Sequence, residues 1–128
     1  MSHAIPPRRA ILVVEDEVFI RMEAVDMMEE AGFKTYQAKS ADAALLVLNA
    51  APDIGILFTD VDMPGSMNGL GLAAHVGTRW PEIRIIVASG ILGVTDDDLP
   101  QGARFFPKPY PSDQIVRTVT DMIDDVSP

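Results

Sequence analysis

The sequence predicts an α/β fold, a doubly wound five-stranded parallel sheet with helices on both faces. Three observations carry that expectation. Short apolar runs alternate with amphipathic stretches five times along the chain, the signature of strand–helix units laid side by side. The runs at residues 10–14, 54–59 and 83–88 are almost unbroken in their apolar character, as parallel strands are when helices cover both faces. The chain has 128 residues, enough for one layered domain and too few for two.

Each element follows in order. Residues 1–9 are polar and include Pro6 and Pro7, so they read as a flexible lead-in to a domain spanning 10–128. Residues 10–14 form the first strand, stopped by Glu15, Asp16 and Glu17. Residues 18–31 form a helix with Val18, Met22, Val25 and Met28 on one face and Gly32 as its stop. A weaker strand covers 34–38. Ser40 caps a second helix that buries Ala41, Ala44, Leu45 and Leu48. After the Pro52-Asp53 turn come the strand 54–59 and a loop, 60–69, rich in breakers. A third helix runs from 70 to 79, ended by Trp80 and Pro81, and a further strand covers 83–88. Residues 90–102 are irregular, with three consecutive aspartates and Pro100. Residues 103–106 form the last strand. Ser112 then caps a helix with Ile115, Val116, Val119, Met122, Ile123 and Val126 on one side. Five strands in this size class favour the flavodoxin-like order 2-1-3-4-5. Its crevice lies beyond the carboxyl ends of strands 1 and 3.

Composition excludes several functions. The net charge is −9, from 19 acidic and 10 basic residues, which disfavours direct nucleic-acid binding. Without cysteine there are no disulfides and no thiolate metal sites. No apolar run is long enough to span a bilayer. Arg8 and Arg9 precede residues 10–14, but Glu15–17 end that run too soon for a signal peptide. A cytoplasmic protein is expected.

Four strand ends carry polar groups that this topology brings to one crevice: Glu15 and Asp16, Asp60, Ser89 and Lys108. Crowded carboxylates repel unless a cation intervenes, and Mg²⁺ prefers such oxygens while keeping several waters. Asp60, where a strand hands over to a loop, can act as a nucleophile forming an acyl phosphate. Lys108 and Ser89 would then bind oxygens of the transferred group. Taken singly, Ser89 is a turn residue before Gly90, Lys108 a solvated lysine, and Glu17 an acidic residue opening a helix. Pro107 and Pro109 constrain Lys108, and a cis Lys108–Pro109 bond would aim it inward. Phe105 reads either as half-buried core or as a moving part.

With these residues assembled, the sequence resembles the receiver domain of bacterial two-component response regulators over about residues 10–126. The matching segments are Ile11-Leu12-Val13-Val14-Glu15-Asp16-Glu17, Asp60-Val61-Asp62-Met63-Pro64-Gly65, Ala88-Ser89-Gly90 and Phe105-Phe106-Pro107-Lys108-Pro109. Each is a weak pattern alone; all four in order are specific. The resemblance implies that Asp60 is the phosphoacceptor. Glu15 and Asp16 would hold Mg²⁺ with Asp60 and the backbone carbonyl of Asp62. Ser89 would be the switch hydroxyl, Phe105 the switch aromatic and Lys108 the family's lysine. It implies a single-domain signalling switch, not an enzyme beyond its own phosphorylation and dephosphorylation. Its partners would be a histidine kinase or histidine phosphotransfer protein and a downstream protein target, with neither nucleic acid nor membrane bound directly.

Departures from the family pattern are also visible. The spacing from Ser89 to Lys108 is short, and residues 93–102 offer little for a regular helix before the last strand, although 96–98 can cap one turn. The loop after Pro64 carries one extra residue before Gly69, Asp62 adds charge beside the site, and Phe105 lacks a tyrosine's hydroxyl. Two other readings compete. Asp60-Val61-Asp62 suggests a phosphatase of the haloacid dehalogenase type, although that family places the motif on its first strand. A pseudo-receiver would keep the fold as an interaction module without phosphotransfer. Nothing follows Pro128 and the chain starts at Met1, so a stand-alone regulator is expected.

Overall fold

A computed structural model of the chain describes residues 7–63, 67–90 and 99–126. The unbroken apolar runs become β1 (Ala10–Val14), β3 (Ile54–Asp60) and β4 (Arg84–Ser89), and every residue of β1 and β3 is buried. The less apolar β2 (Thr35–Ala38) and β5 (Arg104–Pro107) take the two edges, where one side lacks a partner strand. All pairings are parallel and the order is β2-β1-β3-β4-β5, as the sequence predicts.

Strand alternation then splits the apolar side chains between two cores. Leu12, Val14, Leu57 and Val87 pack with α2 (Ala41–Ala50) and α3 (Gly69–Arg79) through Leu48, Leu72 and Val76. Ile11, Val13, Ile56, Phe58 and Ile86 pack with α1 (Val18–Glu30) and α4 (Ser112–Val126) through Ala24, Val25, Met28, Ile115, Val119 and Ile123. The two layers clamp the central strands and leave their carboxyl ends open, which places the site.

Local chemistry accounts for most boundaries. Ser40 caps α2, its hydroxyl accepting the Ala43 N–H at 3.1 Å. Asn68 caps α3 by accepting from Gly71 at 3.0 Å, a cap the sequence reading missed. Ser112 is not a cap: the Pro111 carbonyl accepts the Gln114 and Ile115 N–H groups, so Ser112 is the first helical residue. On α1 the expected face is also rotated. The buried stripe runs through Ala24, Val25 and Met28, whereas Val18 and Met22 are 45% and 51% exposed. Met22 lies off that stripe, and Val18 belongs to the first turn, at the open end of the crevice.

The lead-in is anchored within the described residues. Arg8 donates to the Ile54 carbonyl at 3.0 Å and pairs with Glu82 at 2.8 Å, and its own carbonyl lies where a Cβ on Gly55 would have to sit. Pro100 packs against Gly77 of α3, and Gly102 turns into β5 with φ +86°. The one-turn cap expected at 96–98 and the loop insertion after Pro64 fall outside the described residues. Phe105 and Phe106 face opposite cores, Phe105 half-buried on the α2–α3 side and Phe106 on the other.

One ion cluster ties an edge to the core. Asp53 accepts from Tyr36 Oη at 2.8 Å and Lys34 Nζ at 3.0 Å. Burial acts to raise the Asp53 carboxyl, but these two donors outweigh it and hold it below its ordinary 3.8. The carboxylate's stabilisation is therefore complete above that value and is lost as pH falls through the lowered one. Asp53→Asn is expected to cost about 1 kcal/mol at pH 7. The difference from wild type should shrink in acid urea titrations as pH falls below 3.8 and through the lowered value.

Candidate functional site

Strand register brings the polar groups together. Val14 is level with Thr59 and Asp60 with Ala88, so Glu15 and Asp60 emerge side by side. Ser89 is level with Pro107, and its carbonyl accepts the Lys108 N–H at 2.9 Å. Lys108 is thereby placed one residue past β5, and its bond to Pro109 is cis.

Carboxylate oxygens of Glu15, Asp16 and Asp60 all lie within 4.8 Å of one another. Glu15 and Asp60 are buried and Asp16 is exposed. The Lys108 ammonium sits 2.7 Å from Asp60 Oδ1 and 3.4 Å from Glu15 Oε1. Glu15 Oε2 accepts the Glu17 N–H at 3.2 Å. Phe58 and Tyr110 close the inner wall in an edge-to-face pair with centroids 5.8 Å apart.

Burial dominates the electrostatics. It lifts the Asp60 carboxyl above its ordinary value even though Lys108 pulls it down, and the nearby Asp62 charge adds to the rise. Burial likewise raises Glu15, with Asp60 contributing and the Glu17 N–H opposing. For Lys108, burial acts downward, but Asp60 and Glu15 outweigh it and hold the ammonium above its usual range. Tyr110 is raised by burial.

The residues fit a hard divalent cation. The clustered donors are all oxygens, which suits Mg²⁺. Asp60 Oδ1 is buried and, among the described residues, receives no aligned hydrogen bond, the Lys108 contact being an ion pair without that alignment. Two buried carboxylates plus a third at the rim exceed the single ammonium in charge, and a cation would offset the remainder.

The structure therefore joins Glu15, Asp16, Asp60 and Lys108. Ser89 is buried at the end of β4, one strand away. Asp62 is exposed beside Asp60. Phe105 does not enter the cluster but lies half-buried against the α2–α3 core. Sequence reasoning missed three contributors. Thr59 is buried and its hydroxyl donates to the Asp60 carbonyl at 3.0 Å. Tyr110 walls the crevice, which its place after Lys108-Pro109 hinted at. Arg21 donates to the Glu15 carbonyl at 2.8 Å, and no local pattern marks it.

Fold and crevice together define a class: a doubly wound domain whose strand-end carboxylates and lysine can hold a cation and an oxyanion at one point. The chain belongs to the response regulator receiver domain family, whose model matches residues 11–120. It is 31% identical over 118 residues to the sensor kinase CckA of Brucella abortus, covering 89% of this chain and 12% of that protein. It is 28% identical to the response regulator receiver protein CpdR of the same organism, covering 90% of this chain and 97% of CpdR. The receiver domain of the Francisella response regulator 1452 superposes with a TM-score of 0.83 at 20% identity, covering 93% of this chain and 99% of that one. The chain thus spans about an eighth of one curated relative and nearly all of another. Among the described residues, no helix is long and apolar enough to cross a membrane.

Proposed function

We propose that this receiver accepts a phosphoryl group on Asp60 and uses the aspartyl phosphate to switch the binding of a partner protein. The observation that carries the reading is the Lys108 ammonium bridging Asp60 and Glu15 inside a buried, all-oxygen cluster. An Asp60 carboxylate oxygen attacks phosphorus, the bond from phosphorus to the donor breaks, and the donor leaves with that electron pair. Glu15, Asp16, Asp60 and the Asp62 carbonyl would hold Mg²⁺, which supplies charge neutralisation for the transferring group. Lys108 exchanges its ion pair with Asp60 for a phosphoryl oxygen, and the Ser89 hydroxyl donates to another. Loss of the Asp60–Lys108 pair and recruitment of Ser89 then bias the β4–β5 region, where Phe105 is half-buried against the α2–α3 core.

The donor in this reading is a histidine kinase or histidine phosphotransfer protein, and the output is a downstream protein. The similarity to CckA, a sensor kinase, and to CpdR, a receiver protein, supports that placement. The acidic balance of the chain supports a protein partner over nucleic acid. The only catalysis required is the gain and loss of its own phosphoryl group.

Mass spectrometry after incubation with acetyl phosphate and Mg²⁺ tests the reading. One phosphate adduct is expected on the wild type, and none on Asp60→Asn or in excess EDTA. An adduct that persists in Asp60→Asn would falsify the assignment. Absence of any wild-type adduct would favour an interaction module without phosphotransfer, and catalytic turnover of a generic phosphoester would favour a haloacid-dehalogenase-type phosphatase.

A further inference from the structure

Glu15 stands at the centre of the cluster, so what holds its backbone bears on the geometry of the whole site. Its N–H is tied to the Ala38 carbonyl of β2 at 3.1 Å. Its carbonyl is the first beyond β1, where the strand ladder has ended. Arg21, one turn into α1, takes that carbonyl with Nη1 at 2.8 Å and holds Gln37 Oε1 with Nε at 3.0 Å. The guanidinium thus bridges the carboxyl ends of β1 and β2 from the helix that follows them. Its fixed fork makes both contacts at once, which a flexible ammonium does less rigidly.

We propose that Arg21 is a positioning residue for the acidic pair, acting through the Glu15 main chain. The inference rests on the phosphoacceptor reading above and deepens it. The Glu15 carbonyl and the Asp16 N–H share one rigid peptide plane. Fixing that carbonyl therefore sets both the direction in which Glu15 leaves the strand and the place of the Asp16 Cα. Glu15 meets Lys108 on one side and the Glu17 N–H on the other, whereas Asp16 is exposed at the rim. Asp16 thus depends most on the peptide plane that Arg21 holds.

Charge and positioning make opposite predictions, which renders the idea decidable. Arg21 is a cation near a site suited to cations, so electrostatics alone would make Arg21→Ala bind Mg²⁺ more tightly. Loss of positioning would make it bind more weakly, by about tenfold as for other residues that orient metal ligands.

Mg²⁺ titration by calorimetry on the full chain gives the readout, beside thermal unfolding with and without the ion. Arg21→Ala is expected to raise the Mg²⁺ Kd about tenfold with little change in the metal-free Tm. Arg21→Lys, which keeps one donor to the carbonyl, should recover most of the affinity. Gln37→Ala, which leaves the Glu15 contact in place, should lose little. Unchanged or tighter binding by Arg21→Ala, beside a wild type that binds, overturns this inference alone. An equal drop in Tm with and without Mg²⁺ at constant Kd assigns Arg21 a purely structural role and also overturns it. A wild type that binds no Mg²⁺ overturns the inference and the reading it rests on together.

Discussion

Replacing Gly69 with alanine is expected to cost about 3 kcal/mol of stability and to abolish labelling of Asp60 by acetyl phosphate. A Cβ at Gly69 would fall on the Asp60 carbonyl oxygen and crowd the Asp60 carbonyl carbon and the Val61 Cα, each at 2.7 Å. All three atoms are backbone, so no side chain can swing away. Nor can the strand give: the Val61 N–H is bonded to the Ala88 carbonyl at 3.0 Å, and Thr59 Oγ1 donates to the same Asp60 oxygen at 3.0 Å. The start of α3 is equally held, because the Gly69 N–H donates to the Val61 carbonyl at 3.1 Å. Something must break, and because Gly69 is bonded to Val61 the end of β3 is disturbed whichever side moves. Gly90 is the control, since a Cβ there meets nothing within 4 Å among the described residues. Gly90→Ala should stay within about 0.5 kcal/mol of wild type. Urea unfolding of both variants decides the matter, and a wild-type midpoint for Gly69→Ala would refute the packing argument.

The two ends of the central ion pair are expected to respond with opposite signs. In metal-free protein at pH 7, Lys108→Met should lose about 2 kcal/mol, a value discounted for the partial exposure of Lys108, because it strands two buried carboxylates without their cation. Asp60→Asn should instead gain about 1 kcal/mol, roughly 4 °C in Tm. The sign follows from Asp60 itself. Its folded value is raised above the ordinary 3.8 despite the help of Lys108, so the ionised form is net unfavourable in the fold. That penalty is absent below 3.8, grows as pH rises through the interval up to the raised value, and is constant above it. The advantage of Asp60→Asn should therefore fade in acid. The deficit of Lys108→Met should fade there too, since protonated carboxyls need no partner. Saturating Mg²⁺ should narrow the gap between wild type and Asp60→Asn by stabilising only the wild type. Thermal unfolding across pH 3–8 in EDTA and in Mg²⁺ checks all of these signs; a stabilised Lys108→Met would refute them.

Much of this site was legible because its parts obey local rules. Glu15, Asp16 and Asp60 each stop an apolar strand, and in a parallel sheet all strands end on the same side. Position along the chain therefore translates directly into convergence. Lys108 was legible for the same reason, being pinned between two prolines just past the last strand. Arg21 was not, because its value lies in a carbonyl six residues back and a glutamine on another strand, contacts that no periodicity encodes. The rotated face of α1 has a related cause. Val18 and Met22 have the spacing of a buried stripe, but what lies beneath them depends on where the helix meets the sheet edge. Ser112 failed as a cap because the Pro111 carbonyl already begins the helix, a choice between neighbours that propensity alone does not make.

The sequence by itself determined the α/β class, the strand order, the crevice end of the sheet and the four positions that meet there. Hydrophobic periodicity and strand-end chemistry are local properties of the chain, and the parallel topology converts them into place. Only the tertiary structure decided how those groups share charge: that Lys108 bridges Asp60 and Glu15, that Asp16 stays at the rim, that Gly69 abuts the Asp60 carbonyl and that Arg21 donates to the Glu15 carbonyl. Those are distances between residues far apart in the chain, set by register and by how helices seat on the sheet, and burial turns the same distances into altered proton affinities.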